Sequence, residues 1–315
     1  MKEKCIVVTG GAGFIGSNLV RMVCQENEVT VIDDLSTGHL ENIEHLIDHK
    51  KISFIRGSIT DASLLKKALK DIDVVFHQAA VVSVPQSIKD PLTTNTVNID
   101  GTLQLLHTAR QADVEKIVCA SSCAVYGEPR ELPLKETTVC GPLSPYAVSK
   151  LAVEYYGDLF SQLYGLPTVS LRYFNVYGPS QDPHSDYAAV MPLFLSRVLS
   201  DNSLIIYGDG EQTRDFIFVE DVVRANVLSA ESTRTGIFNI AGGNKISINE
   251  LAHCVMDVTG KRVAIEYAEA RPGDIHQSYA DISKAKQMLA FTPQTSLQQG
   301  LEKTLAWLQQ GRTDS

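Results

Sequence analysis

The sequence predicts an α/β fold: a doubly wound parallel sheet with a smaller mixed α/β lobe on its C-terminal side. Three observations predict it. Through the first half, short apolar runs rich in β-branched residues alternate with longer segments of helical periodicity. A glycine-rich turn over residues 10–16 joins the first apolar run to the first helical segment. After Tyr173 the alternation loosens, and Gly, Pro, Asp and Tyr accumulate.

The elements follow in order. Residues 4–9 (KCIVVT) read as a buried strand, and 14–24 have helical spacing. Residues 28–33 and 52–56 read as the second and third strands. Residues 62–70 place apolar side chains at 64, 65, 68 and 69, a helical pattern. Residues 73–77 (DVVFH) form a fourth strand, 94–111 one long helix, and 116–121 a fifth strand. Residues 145–164 make another long helix and 168–172 a sixth strand. Strands alternating with helices imply βαβ units with right-handed crossovers. Strands buried on both faces explain runs that are apolar throughout rather than alternating.

Beyond residue 173, strands are expected at 215–219 and 236–241. Helices are expected at 221–230 and near 247–258, 282–289 and 296–309. The expected division is a dinucleotide domain over 1–172 and a substrate-side lobe over 173–315. Segments near 215–241 return to the first domain. No linker or internal repeat separates the two, so they are read as interleaved.

Composition limits the function classes. Of 315 residues, 44% are hydrophobic and 21% charged, enough for a sizeable core. The 37 acidic and 28 basic side chains give a formal net charge of −9. That balance argues against nucleic acid or an anionic membrane as partner. No stretch reaches the roughly 18–20 apolar residues of a membrane span, and the N-terminus lacks a secretory core. Cysteines stand at 5, 24, 119, 123, 140 and 254 with no C-x-x-C pair. Reduced thiols, a cytoplasmic location and no metal site are therefore expected.

The turn reads TGGAGFIG, with Gly10, Gly13 and Gly16 at G-x-x-G-x-x-G spacing. Lying between a strand and a helix, it suits a Rossmann-type pyrophosphate site. Glycine permits the tight turn, the close approach of the backbone and close helix packing. The helix end offers free N–H groups and partial positive charge. Asp33 ends the second strand, 20 residues past Gly13. A carboxylate there accepts bonds from ribose hydroxyls and repels a 2′-phosphate, so NAD is expected rather than NADP.

Tyr146 and Lys150 lie four residues apart at the start of the long helix, on one face. Ser144 suits the N-cap and Pro145 the first helical position. A nearby ammonium is expected to lower the Tyr146 pKa and make the phenol a general base. The pair alone is also what a core Tyr beside a surface Lys would look like. Its context is Ser121-Ser122 at the end of the fifth strand, where ligands of doubly wound sheets bind.

With these stretches assembled, the chain resembles the UDP-sugar 4-epimerase family of extended short-chain dehydrogenases/reductases. The resemblance spans nearly the whole length. It rests on TGGAGFIGS (9–17), VIDDLSTG (31–38), HQAAVVSVPQS (77–87) and NIDGT (98–102). It continues through SSCAVYGE (121–128), SPYAVSK (144–150), LRYFNVYGP (171–179) and YAAVMP (187–192). GDGEQTRDF (208–216) and RPGDIHQSYADISKA (271–285) complete it.

The resemblance implies a mechanism. Tyr146 takes the proton of the sugar 4-hydroxyl, and the hydride of carbon 4 passes to NAD. Lys150 holds the nicotinamide ribose, and Ser122 bonds the 4-oxygen. The 4-keto sugar turns within the site, and hydride returns to its other face. Cofactor contacts are implied for Gly10, Gly13, Phe14, Ile15, Gly16, Asp33, Asp34, Ser36, Thr37 and Gly38. They are implied also for Ser58, Ile59, Gln78, Ala79, Ala80, Asn98, Tyr146, Lys150 and Tyr173. Substrate contacts are implied for Ser83, Ser122, Asn175, Ala189, Val190, Tyr207, Arg214, Arg271, Asp274 and Ser278. Arg214 and Arg271 would bind the diphosphate, Asp274 the uridine ribose, and Ala189, Val190 and Tyr207 the uracil. A homodimer built on helices near 94–111 and 145–164 is implied as well.

Two positions sharpen the expectation. Ser278 stands where a Tyr restricts relatives to UDP-glucose and UDP-galactose, so a small residue implies acceptance of 2-acetamido sugars. Where the family usually has Gly-Asp-Ile/Leu, this chain has Gly57-Ser58-Ile59, which changes the adenine contact. Neighbouring families differ at the site. Dehydratases carry Asp-Glu at the positions of Cys123 and Ala124, and glucuronate decarboxylases a Glu at Ala124. Glucuronate epimerases carry Thr at Asn175 and Arg at Ser180. The alternatives that remain are an epimerase restricted to UDP-glucose, another NAD enzyme on this scaffold, and a catalytically silent nucleotide-binding protein.

Overall fold

The structure is a computed structural model. It describes residues 1–128, 131–182, 189–270 and 275–313, with side chains to residue 310. The first half contains β1 (Cys5–Thr9), β2 (Glu28–Asp33), β3 (Ile52–Arg56), β4 (Val74–His77), β5 (Lys116–Ser122) and β6 (Thr168–Tyr173). The second contains β7 (Asn175–Tyr177), β8 (Leu204–Tyr207), β9 (Thr213–Arg214) and β10 (Phe216–Phe218). It ends with β11 (Gly236–Ile240), β12 (Ile246–Ser247) and β13 (Ile265–Ala268). The helices of the first half are α1 (Phe14–Val23), α2 (Glu44–Asp48), α3 (Ala62–Ala68), α4 (Val84–Lys89), α5 (Pro91–Asn95), α6 (Thr102–Gln111) and α7 (Pro145–Tyr164). Those of the second are α8 (Val190–Leu199), α9 (Val219–Glu231), α10 (Ile248–Thr259), α11 (Ser283–Leu289) and α12 (Leu297–Thr313).

Seven parallel strands form the central sheet in the order β11-β6-β5-β4-β1-β2-β3. The order reverses between β1 and β4, so the crevice lies beyond their C-terminal ends. Alternate residues of each strand feed opposite cores. Ile6 and Val8 pack with Leu19, Val20 and Val223, which lie on α1 and α9. Val7 packs with Leu65, Leu105, Leu106, Val153 and Phe160, which lie on α3, α6 and α7. All these side chains are buried, each worth about 1.5–3 kcal/mol relative to exposure. Burial on both faces is why the strand sequences are continuously apolar.

A third core gathers Met191, Phe194 and Leu195 of α8, Leu204 and Ile206 of β8, and Leu251 and Val255 of α10. β11 follows α9 and lies beside β6, so this stretch of the second half is part of the central sheet.

Two local expectations need correction. Residues 94–111 are not one α-helix. Thr96–Gly101 is a π-helical turn between α5 and α6. The Asn98 amide reaches back to Val81, donating to its carbonyl at 3.0 Å and accepting from its N–H at 2.7 Å. That tertiary demand opens the helix locally. The strand expected over 215–219 covers only Phe216–Phe218; Asp215 stands before it, its carboxylate accepting from the Gly243 and Ala280 N–H groups.

No helix among the described residues is long and apolar enough to cross a membrane. All six cysteines are free, and no group of three potential metal ligands occurs among the described residues.

Candidate active site

The glycine turn closes on itself and on the loop after β4. Gly10 has φ +70°, and a Cβ there would come within 2.6 Å of the Ala79 nitrogen. A Cβ on Gly16 would come within 2.0 Å of the Gly10 oxygen. Only glycine fits both positions. Gly13 is the N-cap of α1 and supplies no side-chain cap, so the first turn, with Phe14 and Ile15, keeps N–H groups for an anion.

Asp33 is buried at the end of β2. Its Oδ2 accepts from the Ala12 N–H at 2.9 Å, and its Oδ1 from the Leu35 N–H at 2.9 Å. Each oxygen keeps a lone pair for a ribose hydroxyl. Burial raises its pKa, and the two backbone donors pull it back. Asp34, Ser36 and Thr37 form the exposed loop above it, where the Ser36 N–H donates to Asp34. A Cβ on Gly38 would lie 3.0 Å from both Asp33 oxygens, so glycine lets this loop close over the carboxylate. These features fit an NAD dinucleotide: a cradle for the pyrophosphate and an acceptor for the ribose.

Ser58 and Ile59 flank the same end of the crevice. The Ser58 oxygen accepts from the Thr60 N–H at 3.3 Å and the Thr60 hydroxyl at 3.0 Å. Its acceptor capacity is used, and its proton remains to donate. Ile59 is buried against Gly101.

Behind β4 lies a neutral relay that the sequence analysis did not single out. The His77 Nδ1 is 2.8 Å from the Thr9 hydroxyl, and its Nε2 is 2.8 Å from the Thr102 hydroxyl. Thr102 donates to the Asn98 carbonyl at 2.6 Å, and Thr9 accepts from the Ala79 N–H. This order of donors assigns the proton to Nε2. Burial pushes the His77 pKa down to about 3. Both Asn98 amide hydrogens are engaged, on the Val81 carbonyl and the Ser149 hydroxyl. Asn98 therefore braces the pocket wall. Gln78, Tyr173 and Asn226 form a second polar cluster at the ends of β4 and β6.

The N-terminus of α7 is fixed from three sides. Ser144 caps it by accepting from the Ala147 N–H, Pro145 follows, and Ser87 accepts from the Tyr146 N–H at 3.1 Å. Glu154, one turn beyond Lys150, forms a buried bidentate pair with Arg172 of β6 at 2.8 and 2.7 Å. This pair locks α7 against the sheet. Its signal in the sequence was only the periodicity 146, 150, 154.

Ser122 ends β5, and its hydroxyl is near enough to Tyr146 to favour the ionised phenol. The Lys150 ammonium donates to the Ala120 carbonyl at 2.9 Å and stands 5.9 Å from the centre of the Tyr146 ring. Burial pushes Lys150 down to about 8. Tyr146 departs from expectation. Burial of the phenol pushes it up to about 12, the Ser122 hydroxyl pulls it back, and Lys150 does not lower it. Desolvation outweighs an ammonium already held by a carbonyl.

The residues expected on the substrate side stand on the following elements. Ser83 caps α4 by accepting from the Gln86 N–H at 3.1 Å. Asn175 begins β7, and its Oδ1 is buried with no partner, an acceptor left for a ligand. Ala189 is the N-cap of α8, Val190 begins that helix, and Tyr207 ends β8. Arg214 ends β9, close enough for its charge to act on the Cys123 thiol beside Ser122. Ser278 is buried, and its N–H donates to the Thr213 carbonyl at 3.2 Å, next to Arg214. Ala80 is half-buried in the loop after β4. Arg271 and Asp274 lie outside the described residues.

Comparison with known proteins gives the family. The family model for GDP-mannose 4,6 dehydratase matches residues 7–304. A UDP-glucose 4-epimerase of Mycolicibacterium smegmatis is 39% identical, over 95% of this chain and 96% of its own length. The UDP-N-acetylglucosamine 4-epimerase of Methanobrevibacter ruminantium, solved with UDP-N-acetylmuramic acid, superposes with a TM-score of 0.96. It is 45% identical, covering 99% of this chain and 100% of that one. The Thermus thermophilus UDP-glucose 4-epimerase, solved with NAD, superposes with a TM-score of 0.88 at 38% identity, covering 96% and 98%. The chain therefore belongs to the NAD-dependent UDP-sugar 4-epimerases, isomerases of the extended short-chain dehydrogenase/reductase family.

Proposed function

We propose that this enzyme inverts carbon 4 of UDP-hexoses and accepts both N-acetylated and plain sugars. It would interconvert UDP-N-acetylglucosamine with UDP-N-acetylgalactosamine, and UDP-glucose with UDP-galactose. The observation that carries the substrate reading is Ser278, a small side chain tied beside Arg214 through Thr213. A site roomy enough for the acetamide need not reject glucose, since one missing contact costs about 1–3 kcal/mol.

In this reading Tyr146 exchanges the proton of the 4-hydroxyl, and Ser122 holds the 4-oxygen. Bound NAD supplies the reversible hydride acceptor and a positive charge that favours the tyrosinate. Lys150, fixed on Ala120, holds the nicotinamide ribose. Gly10, Gly13 and Gly16 admit the pyrophosphate, and Asp33 takes the adenosine ribose. Arg214 and Arg271 hold the diphosphate by charge-assisted bonds. Asn175 meets phosphate and sugar with its unpartnered oxygen. Ala189, Val190 and Tyr207 enclose the uracil, and Asp274 takes the uridine ribose. Asn98 acts on the site through Val81 and Ser149. The residue division 1–172 and 173–315 follows these two ligands.

A cytoplasmic homodimer completes the reading. Tyr155, Leu159 and Leu163 expose apolar surface on α7. Leu159 and Leu163 line a groove between α6 and α7 that includes Leu103, Tyr156 and Phe160. A second copy laid on that face would bury it. Sedimentation tests this: a species near twice 34.5 kDa is expected, and a monomer at micromolar concentration contradicts it.

The substrate reading is tested by incubating the pure protein separately with UDP-N-acetylglucosamine, UDP-glucose and UDP-glucuronate, then resolving the products. The 4-epimers of the first two are expected. Product from UDP-glucose alone would overturn the role of Ser278.

A further inference from the structure

We propose that Asp215 is a positioning residue: its buried carboxylate ties three chain segments together and so sets where Arg214 and Ser278 meet the UDP-sugar. The proposal rests on the roles given above to Arg214 and Ser278.

Asp215 lies between β9, which ends in Arg214, and β10. It has no exposed surface. Its Oδ1 accepts from the Gly243 N–H at 3.1 Å, and its Oδ2 from the Gly243 N–H at 3.2 Å and the Ala280 N–H at 3.1 Å. The backbone N–H groups of Gly242 and Asn244 lie near enough to favour the ionised form as well. Burial alone would neutralise such a group, and it pushes the pKa up to about 7 against these donors.

The three segments have different tasks. The first carries Arg214. The second is the turn after β11, a strand of the cofactor sheet. The third follows Ser278. Ser278 is itself held on Thr213, so the carboxylate and that backbone bond fix the segment at two points. The turn is built around the acid. A Cβ on Gly242 would come within 2.5 Å of the Phe216 oxygen and 3.1 Å of the Asp215 Oδ1, and Gly243 has φ +75°. A carboxylate with several oriented amide donors makes a stiffer joint than apolar packing, because each bond constrains direction as well as distance. Asp215 thereby links the central sheet to the two adjoining segments that carry Arg214 and Ser278.

The test is Asp215→Asn, which keeps the size but turns an amide donor toward N–H groups. The expected result is a rise of about tenfold or more in KM for UDP-N-acetylglucosamine, with kcat within about threefold and bound NAD unchanged. Hydrogen exchange should quicken at Gly243 and Ala280. Asp215→Glu, which restores the charge, should recover part of the KM. If the Asn variant fails to fold, Gly242→Ala presses on the same joint and should give the same split. Wild-type KM in both Asp215→Asn and Gly242→Ala would overturn the proposal, as would equal loss of kcat and NAD. A wild type that binds no UDP-sugar would overturn the functional reading with it.

Discussion

The Lys150 ammonium stands 5.9 Å from the centre of the Tyr146 ring and is bonded to the Ala120 carbonyl, not to the phenol. Tyr146 is half-buried beside Ser122, with a pKa pushed up by desolvation of the phenol. Such a group holds its proton until a positive charge arrives nearby. Tyr146→Phe removes the proton acceptor and leaves the ring. The expected loss in kcat is about 10²- to 10⁴-fold, with UDP affinity and bound NAD retained. Turnover measured alongside UDP titration checks this. Unchanged kcat would remove Tyr146 from the chemistry.

The Ser58 oxygen is taken up by the Thr60 N–H and hydroxyl, and its proton is free to donate. If adenine binds beside it as proposed, Ser58→Asp would offer acceptors to the adenine amino group. Tighter cofactor binding is expected, about 3- to 10-fold, because a charge-assisted bond replaces a neutral one. The measurement is the fraction of NAD retained through dialysis. Weaker retention would place the adenine elsewhere.

Ser278→Tyr fills the space assigned to the acetamide. The expected outcome is a fall of at least about 100-fold in kcat/KM for UDP-N-acetylglucosamine, with UDP-glucose changed by less than about tenfold. Parallel kinetics on both sugars decide it. Equal losses would mean that Ser278 does not select the sugar.

His77 makes stability depend on pH. Its folded pKa lies near 3, below the usual 6.5, so the neutral form is favoured on folding. The contribution is fully present above pH 6.5 and is lost as pH falls toward 3. By pH 4 the loss is on the order of 3 kcal/mol. His77→Gln should be less stable than wild type at pH 7, by about 1–3 kcal/mol, and the gap should close or reverse by pH 4. Urea midpoints across pH 7 to 4 measure this. A constant gap would show that His77 is not held neutral.

Much of this was legible in the sequence. β2, β3 and α7 lie where their apolar runs and caps put them: β2 is largely buried, β3 is a short β-branched and aromatic run at the sheet edge, and α7 starts on the Ser144 cap. The glycine turn was legible because backbone crowding selects glycine at Gly10 and Gly16. The π-turn at Asn98 was not, since it goes with bonds to Val81, 17 residues earlier in the chain. Lys150 and Tyr146 were legible as one face, but spacing carries no information on burial or on the claim of Ala120 on the ammonium. α8 and β8 were missed because their neighbours are rich in loop-forming residues, and their core forms only with α10. Asp215 reads as the end of an apolar strand until Gly243 and Ala280 are brought to it.

The central claim is reversible hydride removal at carbon 4 within one site. UDP-N-acetylglucosamine carrying deuterium at carbon 4 tests it most directly, with the products followed by nuclear magnetic resonance. The account predicts the inverted 4-epimer with deuterium kept at carbon 4. Deuterium washed into solvent, or no inversion of any UDP-hexose, would contradict it.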